Sequence, residues 1–132
     1  ECPVAEKQTA LTESEWRVME VLWRAPATLM ELVRTLGESA GWAKSTVTTM
    51  VRRMEDKGLV GHEERGRAKL FRPLLAREDA AMAETESLLR RAYHGSVGLM
   101  VSALVRNSDL SQEELAELYA ILDRAEGKEE GA

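Results

Sequence analysis

Between Leu11 and Pro73 the apolar residues keep a helical spacing three times and then change period, and that ordered change constrains the fold more than any other feature of the chain. Thr12-Glu13-Ser14-Glu15 is a capping box, a hydroxyl followed three residues later by a carboxylate, which satisfies unpaired amides at a helix start. Trp16, Met19, Leu22 and Trp23 follow at helical spacing until Pro26 ends the run. A second box, Thr28 to Glu31, opens a short helix with Leu29, Leu32, Val33 and Leu36 on one face, stopped by Gly37 or Gly41. A third helix begins near Lys44 and ends at Lys57-Gly58, a basic last turn and a glycine suited to left-handed backbone. Its apolar stripe is Val47, Met50, Val51 and Met54. The opposite face carries Ser45, Thr49, Arg52 and Asp56, with Thr48 and Arg53 on its shoulders. After Gly58 the pattern is that of strands: 59–64 run out, 65–68 turn, 69–72 return and Pro73 closes the hairpin. Three short helices followed by a basic-tipped hairpin is the order of a winged helix-turn-helix.

The remaining third is helical again. Met82, Thr85, Leu89 and Ala92-Tyr93 mark a helix ending at His94-Gly95, and Val97, Met100, Val101 and Leu104 mark another. Ser111 and Glu114 form a third capping box ahead of Leu115, Leu118, Tyr119 and Leu122. Three amphipathic helices of about 50 residues in all enclose too little core to stand alone. Their apolar residues, Leu89, Tyr93, Val97, Met100, Val101, Leu104, Leu115, Leu118 and Leu122, need a partner, and a second copy of the chain is the simplest. The other arrangement is a monomer in which these helices fold back on the winged helix. The expected fold is therefore mainly α, with a winged helix-turn-helix over 11–75, a three-helix dimerisation domain over 76–126, and flexible segments at 1–10 and 127–132.

A net charge of -5 over 132 residues argues against a nucleic-acid partner until its distribution is read. Residues 1–33 carry -3, residues 34–77 carry +5 and residues 78–132 carry -7. Surface potential follows local charge, so the basic middle counts for more than the sum. Catalysis has little to rest on: His62 and His94 form no metal-ligand pair, Cys2 has no base at a useful spacing, and no phosphate loop occurs. Met19, Met50 and Met54 fall on core stripes, which is packing rather than a copper site. The chain is expected to be no enzyme and to hold no metal or cofactor. A single cysteine, no apolar run near the roughly 18 residues of a membrane span and no leader pattern place it in the cytoplasm, without membrane insertion.

Double-stranded DNA gives the basic middle a mechanism. The third helix fits a major groove about 12 Å wide, its N-terminal half nearest the base edges. Ser45, Thr48 and Thr49 are placed to donate or accept there. Arg52 reaches a guanine or a phosphate, unless Asp56, four residues on, holds it in an exposed salt bridge. Arg53 is a phosphate anchor. Lys44 and Thr46 meet phosphate at the helix start, and Arg65, Arg67 and Lys69 at the hairpin tip reach phosphate or the adjacent minor groove.

The runs LTESEWRVMEVLW, GWAKSTVTTMVRRMEDKGLV and GRAKLFRPL resemble the penicillinase-repressor family of bacterial transcription factors (BlaI/MecI/CopY). Glu15, Val18, Met19, Leu22 and Trp23 match that family's first-helix pattern. Trp42, Thr46, Val47, Thr49, Arg53, Lys57 and Gly58 match its third-helix region, and HGSVGLMVSALVRNSDLSQEELAELYAIL is similar to its dimerisation helices. The resemblance implies a homodimeric repressor on an inverted-repeat operator with TACA/TGTA-type half-sites, acting on genes for β-lactam resistance or copper handling. In the β-lactam branch it also implies an indirect partner, a membrane sensor protease linked to repressor cleavage. The chain departs from the family in three respects. Ser45 stands where Lys is usual, and Thr48 where Arg or Lys is frequent. Ala103-Leu104 aligns with the Asn-Phe bond that would be the proteolytic switch, and the C-terminus lacks the cysteines of the copper branch. Two other readings are a winged-helix factor regulated directly by a ligand held between the domains, and a winged-helix protein-interaction module that does not bind DNA.

Overall fold

Every helix start with a hydroxyl-x-x-Glu pattern is capped as the pattern requires. The computed structural model describes residues 10–107 and 109–131, the last four as backbone only. Helix α1 (Glu13–Arg24) opens with the Thr12 hydroxyl accepting from the Glu15 amide at 3.1 Å, while the Glu15 carboxylate accepts from the Thr12 amide at 3.0 Å. Thr28 and Glu31 repeat the exchange at α2 (Leu29–Ala40), at 3.2 and 2.8 Å. That helix runs through Gly37 and stops at Gly41, whose φ of 72° is left-handed backbone that a side chain would strain. Helix α3 (Lys44–Asp56) ends against Gly58, φ 84°.

The apolar stripes of the three helices meet in one core. Val18, Met19 and Leu22 of α1, Leu32 and Leu36 of α2, and Val47, Val51 and Met54 of α3 are all buried. Each such side chain contributes about 1.5–3 kcal/mol when removed from water. Met50, expected in the stripe, is only half-buried at its edge. Leu59, Val60 and Phe71 close the core from the hairpin side.

The hairpin comprises β2 (Val60–Arg65) and β3 (Ala68–Pro73), antiparallel with His62 opposite Phe71 and Arg65 opposite Ala68. Its turn is two residues, with Gly66 at φ 66°. A two-residue strand β1 (Ala27–Thr28), absent from the sequence expectation, pairs with β3 on its other edge and gives the order β1-β3-β2. Through β1 the wing is hydrogen-bonded to the residues that cap α2.

The chain divides into two compact units, Glu1–Leu88 and Leu89–Ala132. The division falls inside α4 (Arg77–Tyr93) rather than at the expected 75/76 boundary. The first turns of α4 are tied to the first unit: Ala80 is buried in its core, the Trp23 indole N–H donates to the Leu75 carbonyl at 2.9 Å, and Arg77 bonds Glu20 at 2.6 Å while lying over the Trp23 ring.

In the second unit α4 ends as expected at His94 (φ 53°) and Gly95 (φ 83°). Helix α5 (Val97–Asn107) is followed by α6 (Gln112–Gly131), which opens with the Ser111–Glu114 capping box. The backbone of α6 continues through 127–131, where a flexible tail was expected, because Lys128, Glu129 and Glu130 are good helix formers on either side of no proline. Most of the expected extension at 1–10, Cys2 included, lies outside the described residues. From Leu89 onward no described side chain is buried. Among the described residues no helix is long and apolar enough to cross a membrane.

Candidate nucleic-acid interface

Packing splits α3 lengthwise. With Val47, Val51 and Met54 committed to the core, the remaining positions form an outward ridge: Lys44, Ser45, Thr46, Arg52 and Arg53 are exposed, and Thr48 and Thr49 half-buried. The Thr48 hydroxyl donates to the Lys44 carbonyl at 2.9 Å. Its hydrogen is therefore spent within the helix, and toward a base edge it offers a lone pair and a methyl group rather than a donor.

The expected competition between DNA and Asp56 for Arg52 is absent. Among the described residues Arg52 forms no ion pair, and neither do Lys44, Arg53, Arg67 and Lys69. The wing arginines differ from one another. Glu63 receives Arg65 at 3.2 Å on one carboxylate oxygen and Arg72 at 3.0 Å on the other. Arg65, expected as a free tip cation, is thus already engaged, whereas Arg67 and Lys69 are not.

Two hollows flank the ridge. One, of about 490 Å³, lies between α3 and the wing and is lined by Thr48 and Arg52 from the helix and by Arg67 and Lys69 from the hairpin. The other, of about 290 Å³, is lined by Ser45, Thr46, Thr49, Met50 and Arg53. Eight of the ten residues expected to meet DNA therefore fall four to each side of α3, and only Lys44 and Arg65 line neither hollow. A ridge with cations on both shoulders has the shape that a groove walled by two phosphate strands requires.

Two side-chain contacts hold the C-terminal end of α3. Glu55 bonds His62 of β2, Oε2 to Nδ1, at 2.6 Å, and the Lys57 ammonium, just past the helix, donates to buried Glu15 at 2.5 Å. His62 also packs its ring against Phe71, the ring centroids 5.5 Å apart. His62, which the sequence offers only as a possible metal ligand, thus joins the wing to α3. Its place opposite Phe71 in a hairpin of correct register was the available signal for a wing-to-helix contact. Among the described residues no three His, Cys, Asp or Glu side chains are grouped to hold a metal ion.

The residues expected at a dimer face lie on the second unit's helices. Leu89, Tyr93, Met100 and Leu115 are half-buried, and Val97, Val101, Leu104, Leu118 and Leu122 are exposed, Val97 by 62% and Leu122 by 64%. Ala103 and Leu104 sit inside α5, more than a turn from its start.

A family model described as penicillinase repressor matches residues 11–124. The chain is 32% identical over 114 residues to the penicillinase repressor of Bacillus licheniformis, an alignment covering 86% of this chain and 89% of that one. It is 24% identical over 119 residues to the methicillin resistance regulatory protein MecI of Staphylococcus aureus (strain N315), covering 89% and 97%. Among solved structures, the monomeric form of Bacillus licheniformis BlaI in complex with the blaP half-operator matches with a TM-score of 0.49 and 27% identity, over 55% of this chain and 90% of that one.

Proposed function

The chain belongs to the penicillinase repressor family, and from that premise we propose that it is a DNA-binding transcriptional repressor acting as a homodimer on an inverted-repeat operator. The observation that carries the DNA-binding part is the two-sided lining of α3, with unpaired Arg52, Arg67 and Lys69 on one flank and Arg53 on the other. In this reading Ser45, Thr48 and Thr49 meet base edges while the cations take the phosphates on either side. The genes it controls are those that the relatives' names indicate, for resistance to β-lactams.

The homodimer rests on the second unit, in which Val97, Leu104, Tyr119 and Leu122 are all more than half exposed. Contiguous apolar helix faces in water call for a partner, and a second copy provides an isologous one. Joining two winged helices makes the second half-site engagement intramolecular, so the pair binds far more tightly than either alone. Weakening the helix faces then releases DNA without touching α3. Cleavage at Ala103-Leu104 by a protease acting downstream of a membrane sensor is one route, and it requires α5 to open locally first.

Reversing charge at the flank tests the DNA-binding part. A chain with Arg52→Glu and Arg67→Glu, both surface positions, should keep its helical circular dichroism and lose operator binding at any practical concentration. Retained binding by that folded variant would move the interface elsewhere.

A further inference from the structure

The hollow between α3 and the wing has an apolar floor that a phosphate strand has no use for. Val51 and Phe71 are buried beneath it, Leu29 is half-buried beside them, and Met30 stands 59% exposed at its lip. Above the floor stand Arg52, Arg67 and Lys69, with no ion pair to any described residue. The one carboxylate in the lining, Glu55, is turned to His62 at 2.6 Å. Three uncompensated cations over an apolar floor are complementary to an organic anion: the fork of Arg52 suits a carboxylate, and Val51 and Phe71 suit a flat hydrocarbon body. The volume of about 490 Å³ is that of an ordinary small-molecule site.

We propose that this groove binds a small organic carboxylate with a flat apolar body. Because Thr48, Arg52, Arg67 and Lys69 line both this groove and the DNA face, its occupation displaces DNA; that second clause rests on the function proposed above. Such a ligand acts within the first unit and leaves the dimer intact, a route of release separate from weakening the helix faces.

The test is a titration of the isotope-labelled full chain with 2-naphthoate, followed by amide NMR shifts, with neutral 2-naphthamide as the matched control. The expected result is shifts centred on Leu29, Thr48, Val51 and Ala68, with the amide bound about tenfold more weakly. Arg52→Ala combined with Lys69→Ala, both exposed, should bring naphthoate affinity down to that of the amide. Shifts confined to α5 and α6, or equal affinity for acid and amide, would overturn the site. Naphthoate should also raise the apparent Kd of an inverted-repeat duplex. Shifts in the groove with unchanged duplex affinity would overturn the displacement, and a duplex that fails to bind even without naphthoate would instead overturn the DNA-binding reading.

Discussion

Glu55 on α3 and His62 on β2 are joined Oε2 to Nδ1 at 2.6 Å, the one side-chain hydrogen bond between α3 and the hairpin among the described residues. It ties α3 to the hairpin that carries Arg67 in its turn and Lys69 on β3. His62→Ala should therefore have two effects. Stability should fall by about 1 kcal/mol, read by urea denaturation. Operator affinity should fall as well, because the wing cations are no longer held at one spacing from α3. Loss of stability with full affinity would mean that the wing position is fixed by β1 pairing alone.

The capping box of α1 is also a tertiary contact, since Glu15 accepts from its own cap residue and from Lys57 beyond α3. Thr12→Ala removes only the cap and should cost about 1 kcal/mol. Glu15→Ala keeps the Thr12 hydroxyl bond to the residue-15 amide but removes the carboxylate that accepts from the Thr12 amide and from Lys57, and should cost about 2 kcal/mol, the ion-pair part kept small because the Lys57 side chain is 56% exposed. Equal losses in paired denaturation curves would show that the ion pair contributes nothing.

What the sequence made legible, and what it did not, follows from how local each signal is. The three capping boxes, the Gly58 stop and the His94-Gly95 stop are written in neighbouring residues, and each was found where expected. Strand β1 was missed because two residues have no period, and Ala27 becomes a strand residue only when Phe71 is beside it. The 75/76 boundary follows from a hairpin closed by Pro73, whereas Arg77 lies over the Trp23 ring and Ala80 is buried in the first unit's core, contacts between residues far apart in sequence. The engagement of Arg65 by Glu63 was hidden for another reason: two residues apart on one strand they share a face, but so do several other charges.

Glu63 holds Arg65 and Arg72, so under the proposed function DNA phosphates compete with it for them. Glu63→Gln should release both and tighten binding to any duplex about two- to threefold at low salt, the modest size expected of exposed pairs. The gain should shrink as salt rises. Fluorescence anisotropy on a scrambled duplex reads it directly, and no change at low salt would mean that neither arginine meets the backbone.

Leu104 is 56% exposed on α5. Leu104→Asp should leave the first unit folded and shift the mass measured by analytical ultracentrifugation from dimer to monomer. Affinity for a single half-site should stay as it was, while affinity for the full inverted repeat falls at least about tenfold as the intramolecular gain disappears. A monomer that holds the full site as tightly as the parent chain would refute release through dimer weakening.

The most direct test of the central claim is fluorescence anisotropy of a labelled TACA/TGTA inverted repeat against a scrambled duplex of equal length, at about 50 and about 200 mM salt. Tight binding selective for the repeat, falling steeply between the two salt concentrations, is the result predicted for a dimer that reads bases with Ser45, Thr48 and Thr49 and grips phosphates with Arg52, Arg53, Arg67 and Lys69. Absence of binding to either duplex at the lower salt would contradict it.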